Sequence, residues 1–212
     1  YTNSFGFKNE NWKEWRYKGI DVLVPGDFNI TTDGKGGYYL YPEGDMSAPP
    51  SGHMPEDGFY FDNIIRQQPI SEDKLNYEDN LEEYKPVTDD MLDHYRREAE
   101  RVAKTGRAVV ASFGYTALGD ISMVPGPSIK YPKGIRSIEE WYVSQLIRPD
   151  YIKKVYEAQV EIAIENLKKL KDAVGDTVDV TYVCGTDFGT QEGLFYSKEV
   201  FETLYLPYYK RI

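Results

Sequence analysis

Two loops in this sequence concentrate the side chains that can do chemistry. The first opens Ser112-Phe113-Gly114-Tyr115-Thr116-Ala117-Leu118-Gly119-Asp120. Tyr115 and Asp120 can donate or accept protons, and Phe113 and Met123 can supply an apolar wall. Gly114 and Gly119 would let the backbone approach a ligand closely. The second loop is Gly185-Thr186-Asp187-Phe188-Gly189-Thr190-Gln191. An aspartate just past a buried strand, as Asp187 is expected to be, can have its pKa raised by burial and so be fitted for acid or base work. Thr186 and Gln191 add hydrogen-bonding groups. Each residue also has a purely structural use: Asp120 capping a turn, Tyr115 packed as a half-buried aromatic, and Asp187 holding an Asx-turn.

The remaining candidates read as structural. Cys184 ends an apolar strand and fits a small buried hydrophobe. His53 lies in a Pro/Gly-rich loop at the surface. Asp62 and Arg66 form a surface ion pair, and Trp12, Trp15 and Tyr17 plug a core. The sequence has no G-x-x-x-x-G-K-[ST] and no G-x-G-x-x-G after a strand, so nucleotide binding has no support. It has no G-x-S-x-G elbow and no H-E-x-x-H.

Regular elements must position the two loops. Residues 1–60 read as turns and short strands. Asp21–Val24 is one strand, and Phe28–Thr32 and Tyr38–Tyr41 form a hairpin around Asp33-Gly34-Lys35-Gly36-Gly37. Gly58–Phe61 is a further short strand. Thr88 caps a helix whose Met91, Leu92, Tyr95, Ala99, Val102 and Ala103 share one face. Arg107–Phe113 is a β-rich run, followed by a Gly/Pro-rich stretch over 114–134 that is too long for an ordinary connector. Ser137 and Glu140 make a capping box for a helix to about Ile147. A longer helix follows Pro149, with a stripe of Ile152, Val155, Tyr156, Val160, Ala163, Leu167, Leu170 and Val174, stopped at Gly175. Thr177–Cys184 reads as a second core-type strand. Ser197 caps a last helix that Pro207 kinks. Helix–strand alternation of this kind predicts parallel strands joined by crossover helices, with ligands over their C-terminal ends.

Composition narrows the function. The 212 residues carry 35 acidic and 25 basic side chains, for a formal charge of −10. Residues 1–90 hold 18 acidic against 8 basic side chains, while 91–212 hold 17 of each. The imbalance therefore sits entirely in the first part, where it makes a solvated acidic surface. With no basic stripe, nucleic acid is not an expected partner. No apolar run approaches the roughly 20 residues of a spanning helix, so no membrane is expected either. The expected location is the cytoplasm. A single cysteine and two histidines give no disulfide framework and no metal centre of their own. Two strand–helix units cannot cover their own sheet edges. The expectation is accordingly an interior piece of a longer protein, or a processed chain, with a turn-rich acidic segment over 1–87 and a barrel portion over 88–212.

One stretch is similar to a known family. Gly185–Ser197, with Thr186-Asp187-Phe188-Gly189-Thr190-Gln191 at its head, and then Leu206-Pro207-Tyr208-Tyr209-Lys210-Arg211-Ile212, resembles the central strand–loop–helix of the uroporphyrinogen decarboxylase-like superfamily. Its methyltransferase branch often carries Asp-Asp-x-Gly-Thr-Gln, Ser-Pro-Glu and Leu-Pro-x-x-Lys-Arg-Ile type sequences. Here Thr186 stands for the first Asp, and Ser197-Lys198-Glu199 lacks the Pro. Met54–Asp62 also resembles members of that branch. The likeness runs from about residue 55 to 212 and is densest over 184–212.

The resemblance implies an α/β fold, a (β/α)8 TIM barrel only partly present in this chain, with its site at the C-terminal strand ends. It implies a corrinoid-linked methyltransferase that moves a methyl group between methylcobalamin and an acceptor. In that role Asp187 orients or protonates substrate, Asp120 and Tyr115 assist, and Gln191, Thr186, Phe113 and Met123 line the site. The cofactor is cobalamin, with zinc held through residues beyond Ile212. The expected partners are a small-molecule substrate, a corrinoid protein and a second copy of the chain. The alternatives are a uroporphyrinogen decarboxylase, whose Arg-Gln-Ala-Gly-Arg type signature has no counterpart here, and a non-catalytic module that binds a small molecule or corrinoid.

Overall fold

A computed structural model describes residues 11–114, 116–183 and 186–212. It divides into two compact units. The N-terminal unit holds residues 11–83 and Ser122–Trp141, and the helical unit holds Tyr84–Ile121 and Tyr142–Ile212. The expected boundary is at 87/88, and the chain divides between Glu83 and Tyr84. The 122–141 stretch, however, packs with the N-terminal unit and not with the βα elements.

The N-terminal unit starts with a hairpin of β1 (Trp12–Tyr17) and β2 (Ile20–Pro25). Its turn is Lys18-Gly19, both at positive φ, which matches the twist of a two-residue hairpin loop. Side chains alternate along β1, so Trp15 and Tyr17 turn inward. Trp15 meets Tyr17 at 4.8 Å, Phe28 at 5.0 Å and Tyr38 at 5.7 Å between ring centroids. Trp15 and Tyr17 therefore plug a core as expected, whereas Trp12 is exposed.

Next comes an antiparallel sheet of β3 (Ile30–Thr32), β4 (Tyr38–Leu40), β5 (Gly52–Met54) and β6 (Asp62–Asn63). The predicted hairpin is β3–β4. Its turn is tied by Asp33, whose carboxylate accepts the N–H groups of Lys35 and Gly37. The other oxygen of Asp33 lies 2.9 Å from His53 Nε2 on β5. His53 is thus paired inside the sheet and does not sit loose in a surface loop. The strand expected at Gly58–Phe61 is a turn, and the chain re-enters the sheet at Asp62.

The long Gly/Pro-rich segment is fastened by side chains and not by a ladder. Arg136, 1% exposed, donates to Glu83 at 2.7 Å and Glu82 at 3.2 Å. It also donates to the carbonyls of Asp79, Val124 and Lys133. Arg66 donates to the carbonyls of Gly126, Ile129 and Lys130, so its expected surface pair with Asp62 does not form. Asn80 exchanges both bonds with the backbone of Ile135, at 2.8 and 2.9 Å.

In the helical unit, α1 (Asp89–Ala103) is capped by Thr88, whose hydroxyl accepts from Met91 N–H. Asp89 and Asp90 sit in its first turn, where the helix dipole favours them. Tyr95, Ala99 and Val102 bury the predicted face, while Ala103 is exposed. After β7 (Val110–Ala111) comes α2 (Ile138–Ile147), which starts at the Ser137 cap in the N-terminal unit and belongs to the helical unit from Tyr142 on. Then α3 (Pro149–Val174) buries the predicted stripe apart from Leu167, which is partly buried, and Gly175 ends it. Val87, Tyr95, Ala99, Ala111, Phe113, Leu170 and Val174 form one apolar cluster. Asn166, buried on α3, pins the chain before α1 by accepting Val87 N–H and donating to Lys85 O.

β8 (Val180–Thr181) pairs with β7 in parallel, in the register Val110↔Val180 and Ala111↔Thr181. The pairing follows from the helix–strand alternation, but the strands are shorter than expected. Val180 and Thr181 are exposed, so β8 is not a core-type strand. The reason is that among the described residues no third strand flanks the pair and the sheets do not close. The chain ends in α4 (Lys198–Leu204), capped by Ser197, and α5 (Leu206–Tyr209), which part at Tyr205 where Pro207 interrupts the bonding. Among the described residues no helix is long and apolar enough to cross a membrane.

Two outcomes follow from the fastening. Arg136→Met leaves Glu83 buried without its partner and should lower stability to urea by roughly 3–5 kcal/mol; a change under about 0.5 kcal/mol would contradict the role assigned to Arg136. The Asp33 carboxyl is held below the usual carboxylate range, first by the His53 contact and then by the Lys35 N–H. Its stabilisation is complete above pH ~4 and is lost as pH falls through the lower folded value. Asp33→Asn should therefore flatten the acid limb of a circular-dichroism titration, and an unchanged limb would contradict it.

Candidate functional site

The helical unit brings the two chemistry-bearing loops to one place through their strands. The first leaves the C-terminal end of β7 and the second leaves the C-terminal end of β8. Because the strands are parallel, both loops emerge on the same side, which is where α/β folds bind ligands. Gly114 and Gly119 take φ of +75° and +65°, so the turns of the first loop require glycine there.

Tyr142, on α2, carries an electrostatic effect from both loops. Its hydroxyl is buried with no hydrogen-bond partner. Burial pushes its pKa above the ordinary tyrosine value, and the negative charges of Asp187 and then Asp120 push it further. One aspartate from each loop thus contributes to the field at the same phenol. Asp187 is exposed and Asp120 is half-buried. The burial expected of Asp187 is therefore not found; its side chain is exposed to solvent.

An aromatic stack holds Tyr142 in place. Its ring lies 4.9 Å from Phe195 and 6.1 Å from Tyr196. Tyr196 stacks on Tyr205 at 5.3 Å and 13°. Tyr205 reaches Tyr156 of α3 at 5.2 Å and Phe188 of the second loop at 5.2 Å. Burial is the main cause that raises the pKa values of Tyr156, Tyr196 and Tyr205, so these phenols stay neutral too. The second loop is closed on itself by a bridge between Gly189 and Leu194 and by Thr190 N–H to Gly193 O.

The predicted site residues fare differently. Asp187 and Asp120 both act electrostatically on Tyr142. Thr186 is buried, with a hydroxyl that has no hydrogen-bond partner. Gln191 is exposed in the bridged tip of the loop. Phe113 packs on Tyr95 at 5.4 Å within the apolar cluster. It also lines a cavity of about 390 Å³ with Thr116, Leu167, Val174 and Val183. Met123 belongs to the other unit. Tyr115, Cys184 and Gly185 lie outside the described residues. Tyr142 was not anticipated: Trp141-Tyr142-Val143 reads as generic helix, and only a helical projection of 138–147 onto the strand-end loops would have singled it out.

No family profile, curated protein or solved structure matches the chain.

The site makes one direct prediction. Asp187→Asn removes a negative charge facing Tyr142 and should lower the Tyr142 pKa toward the ordinary value of about 10. Tyrosine ring-carbon NMR, with Tyr142→Phe to assign the signal, reads this shift, and an unchanged titration in the variant would show that the two do not face each other.

Proposed function

We propose that the helical unit is part of a (β/α)8-type barrel and serves a corrinoid-linked methyltransferase of the uroporphyrinogen decarboxylase-like kind that residues 184–212 resemble. What supports the reading is that Asp120 and Asp187, from two loops that leave the C-terminal ends of paired parallel strands, both act electrostatically on one buried hydroxyl. In a transfer of this type an acceptor X–H loses its proton as the new X–C bond forms. Asp187, exposed to an incoming molecule, takes that proton. Asp120 holds the acceptor from the other loop. Tyr142, kept neutral by burial and by both charges, donates a hydrogen bond and does not compete as a base.

Charge favours this reading over decarboxylation of a polycarboxylate. Both carboxylates acting on Tyr142 are negative, an arrangement that repels an anionic substrate. The described residues do not fit zinc, since no group of three or more His, Cys, Asp or Glu side chains could hold it. No step is routed through a metal. The cavity of about 390 Å³ beside Phe113 is too small to house a corrinoid. Methylcobalamin accordingly enters as a second substrate, presented by a partner protein.

A positioned general base contributes about 10²–10⁴-fold. Asp187→Asn should therefore slow methyl transfer from methylcobalamin by at least about 10²-fold while leaving the fold intact. Unchanged transfer would refute the assignment. Saturable binding with no product in the wild-type protein would point instead to a non-catalytic binding module.

A further inference from the structure

The C-terminal half of α3 lines a cavity that plays no part in the proton transfer assigned above. Leu167, Lys171 and Val174 stand at i, i+4 and i+7, so one helix face presents all three. Phe113 from the loop after β7, Val178, and Val183 just past β8 complete the apolar wall of about 390 Å³ of space. Phe113 and Val174 belong to the apolar cluster of the helical unit, and Leu167 and Val178 pack against it. The cavity is therefore an extension of the core that the core's own side chains leave unfilled. Protein interiors hold few voids larger than a water molecule. A space of this size instead falls at the small end of ligand pockets. Asp120, Tyr142 and Asp187 are not among the described residues that line it.

The mouth of the cavity is charged. Leu167, Lys171 and Ile212 also line an open cleft, together with Lys168, Asp172 and Arg211, so cavity and cleft are contiguous. Arg211 is taken up by Glu157 and Glu161. Lys171 donates to Gly175 O and to Asp176, each at 2.8 Å, which leaves one of its three N–H groups. Lys168, one turn away on α3, is exposed and has no ion pair among the described residues. Against these two ammonium groups the cleft wall sets one carboxylate, Asp172. An apolar recess selects hydrocarbon, and ammonium groups with donors to spare at its rim select an anion. We infer that cavity and cleft form a binding site for a medium-chain carboxylate. The alkyl chain fills the space between Phe113, Leu167, Val174, Val178 and Val183, and the carboxylate rests on Lys168 and Lys171.

Calorimetric titration of the full chain with hexanoate, octanoate, octan-1-ol and octylammonium tests this, using wild type, Val183→Trp and the double variant Lys168→Met with Lys171→Met. Octanoate should bind saturably and at least tenfold more tightly than hexanoate, because each buried methylene tightens binding about fourfold. Octan-1-ol and octylammonium should bind wild type at least tenfold more weakly than octanoate. Replacing both lysines by methionine keeps their apolar stems and removes the charges, and should weaken octanoate at least tenfold. Val183→Trp fills the cavity and should abolish octanoate binding. Val183 and both lysines are exposed, so these variants leave the packed core alone. Octanoate binding that is absent, matched by hexanoate, or matched by octan-1-ol or octylammonium would overturn the inference. So would octanoate affinity unchanged in the double lysine variant. Affinity unchanged in Val183→Trp would leave the anion on surface lysines alone, and would overturn it equally.

Discussion

A half-buried tyrosine whose buried hydroxyl has no hydrogen-bond partner, and on which the charges of two aspartates act, is the constraint on which the helical unit is arranged. An unpaired buried hydroxyl costs about 1–3 kcal/mol. The rest of the unit offsets that cost with ordinary means: the apolar stripe of α3, the Tyr95–Phe113 contact, and the Val87, Ala99, Leu170 and Val174 cluster behind it. The stack from Phe195 through Tyr196 and Tyr205 to Tyr156 fixes the ring so that the hydroxyl stays where the loops deliver their charge. A flexible tyrosine would swing out to water. This one is held by aromatic neighbours, the exposed Phe195 and the half-buried Tyr196, which lead on to the buried Tyr205 and Tyr156.

The N-terminal unit solves a different problem. It must order a long Gly/Pro-rich segment that has no strand ladder of its own, and it does so with side chains that satisfy backbone groups. Arg66, Asn80, Gln67 and Arg136 each bond to several carbonyl or N–H groups of residues 122–137. Such bonds are directional and fix a loop more sharply than apolar contact would. Their cost is the burial of Arg136, which the fold accepts because Glu83 and three carbonyls surround its guanidinium. The acidic excess of residues 1–90 thus includes side chains, Glu83 and Asp33, that are largely internal and not part of a solvated surface.

Local signals in the sequence were faithful where one residue governs local geometry. Thr88, Ser137 and Ser197 cap helices, Gly175 stops α3, Pro207 parts α4 from α5, and the Asp33–Gly37 cluster turns a hairpin. The parallel pairing of β7 with β8 also followed, since helix–strand alternation leaves few other connections. Strand length did not follow, because an apolar run such as Thr177–Cys184 forms a full strand only when neighbours pair with it on both sides. Long-range partners were equally out of reach: nothing near Arg66 marks the carbonyls of Gly126 and Ile129, some sixty residues on. In the site, the two aspartates were readable from their loops, but Tyr142 was not, because its role depends on the tertiary placement of α2.

The central claim is that Asp187 and Tyr142 act on the same reacting group, and a double-mutant cycle measures that most directly. Methyl transfer would be compared in wild type, Asp187→Asn, Tyr142→Phe and the double variant. If the two side chains work as one unit, the double variant should be little slower than Asp187→Asn alone. If the two losses simply multiply, the pair is not one site and the account is contradicted.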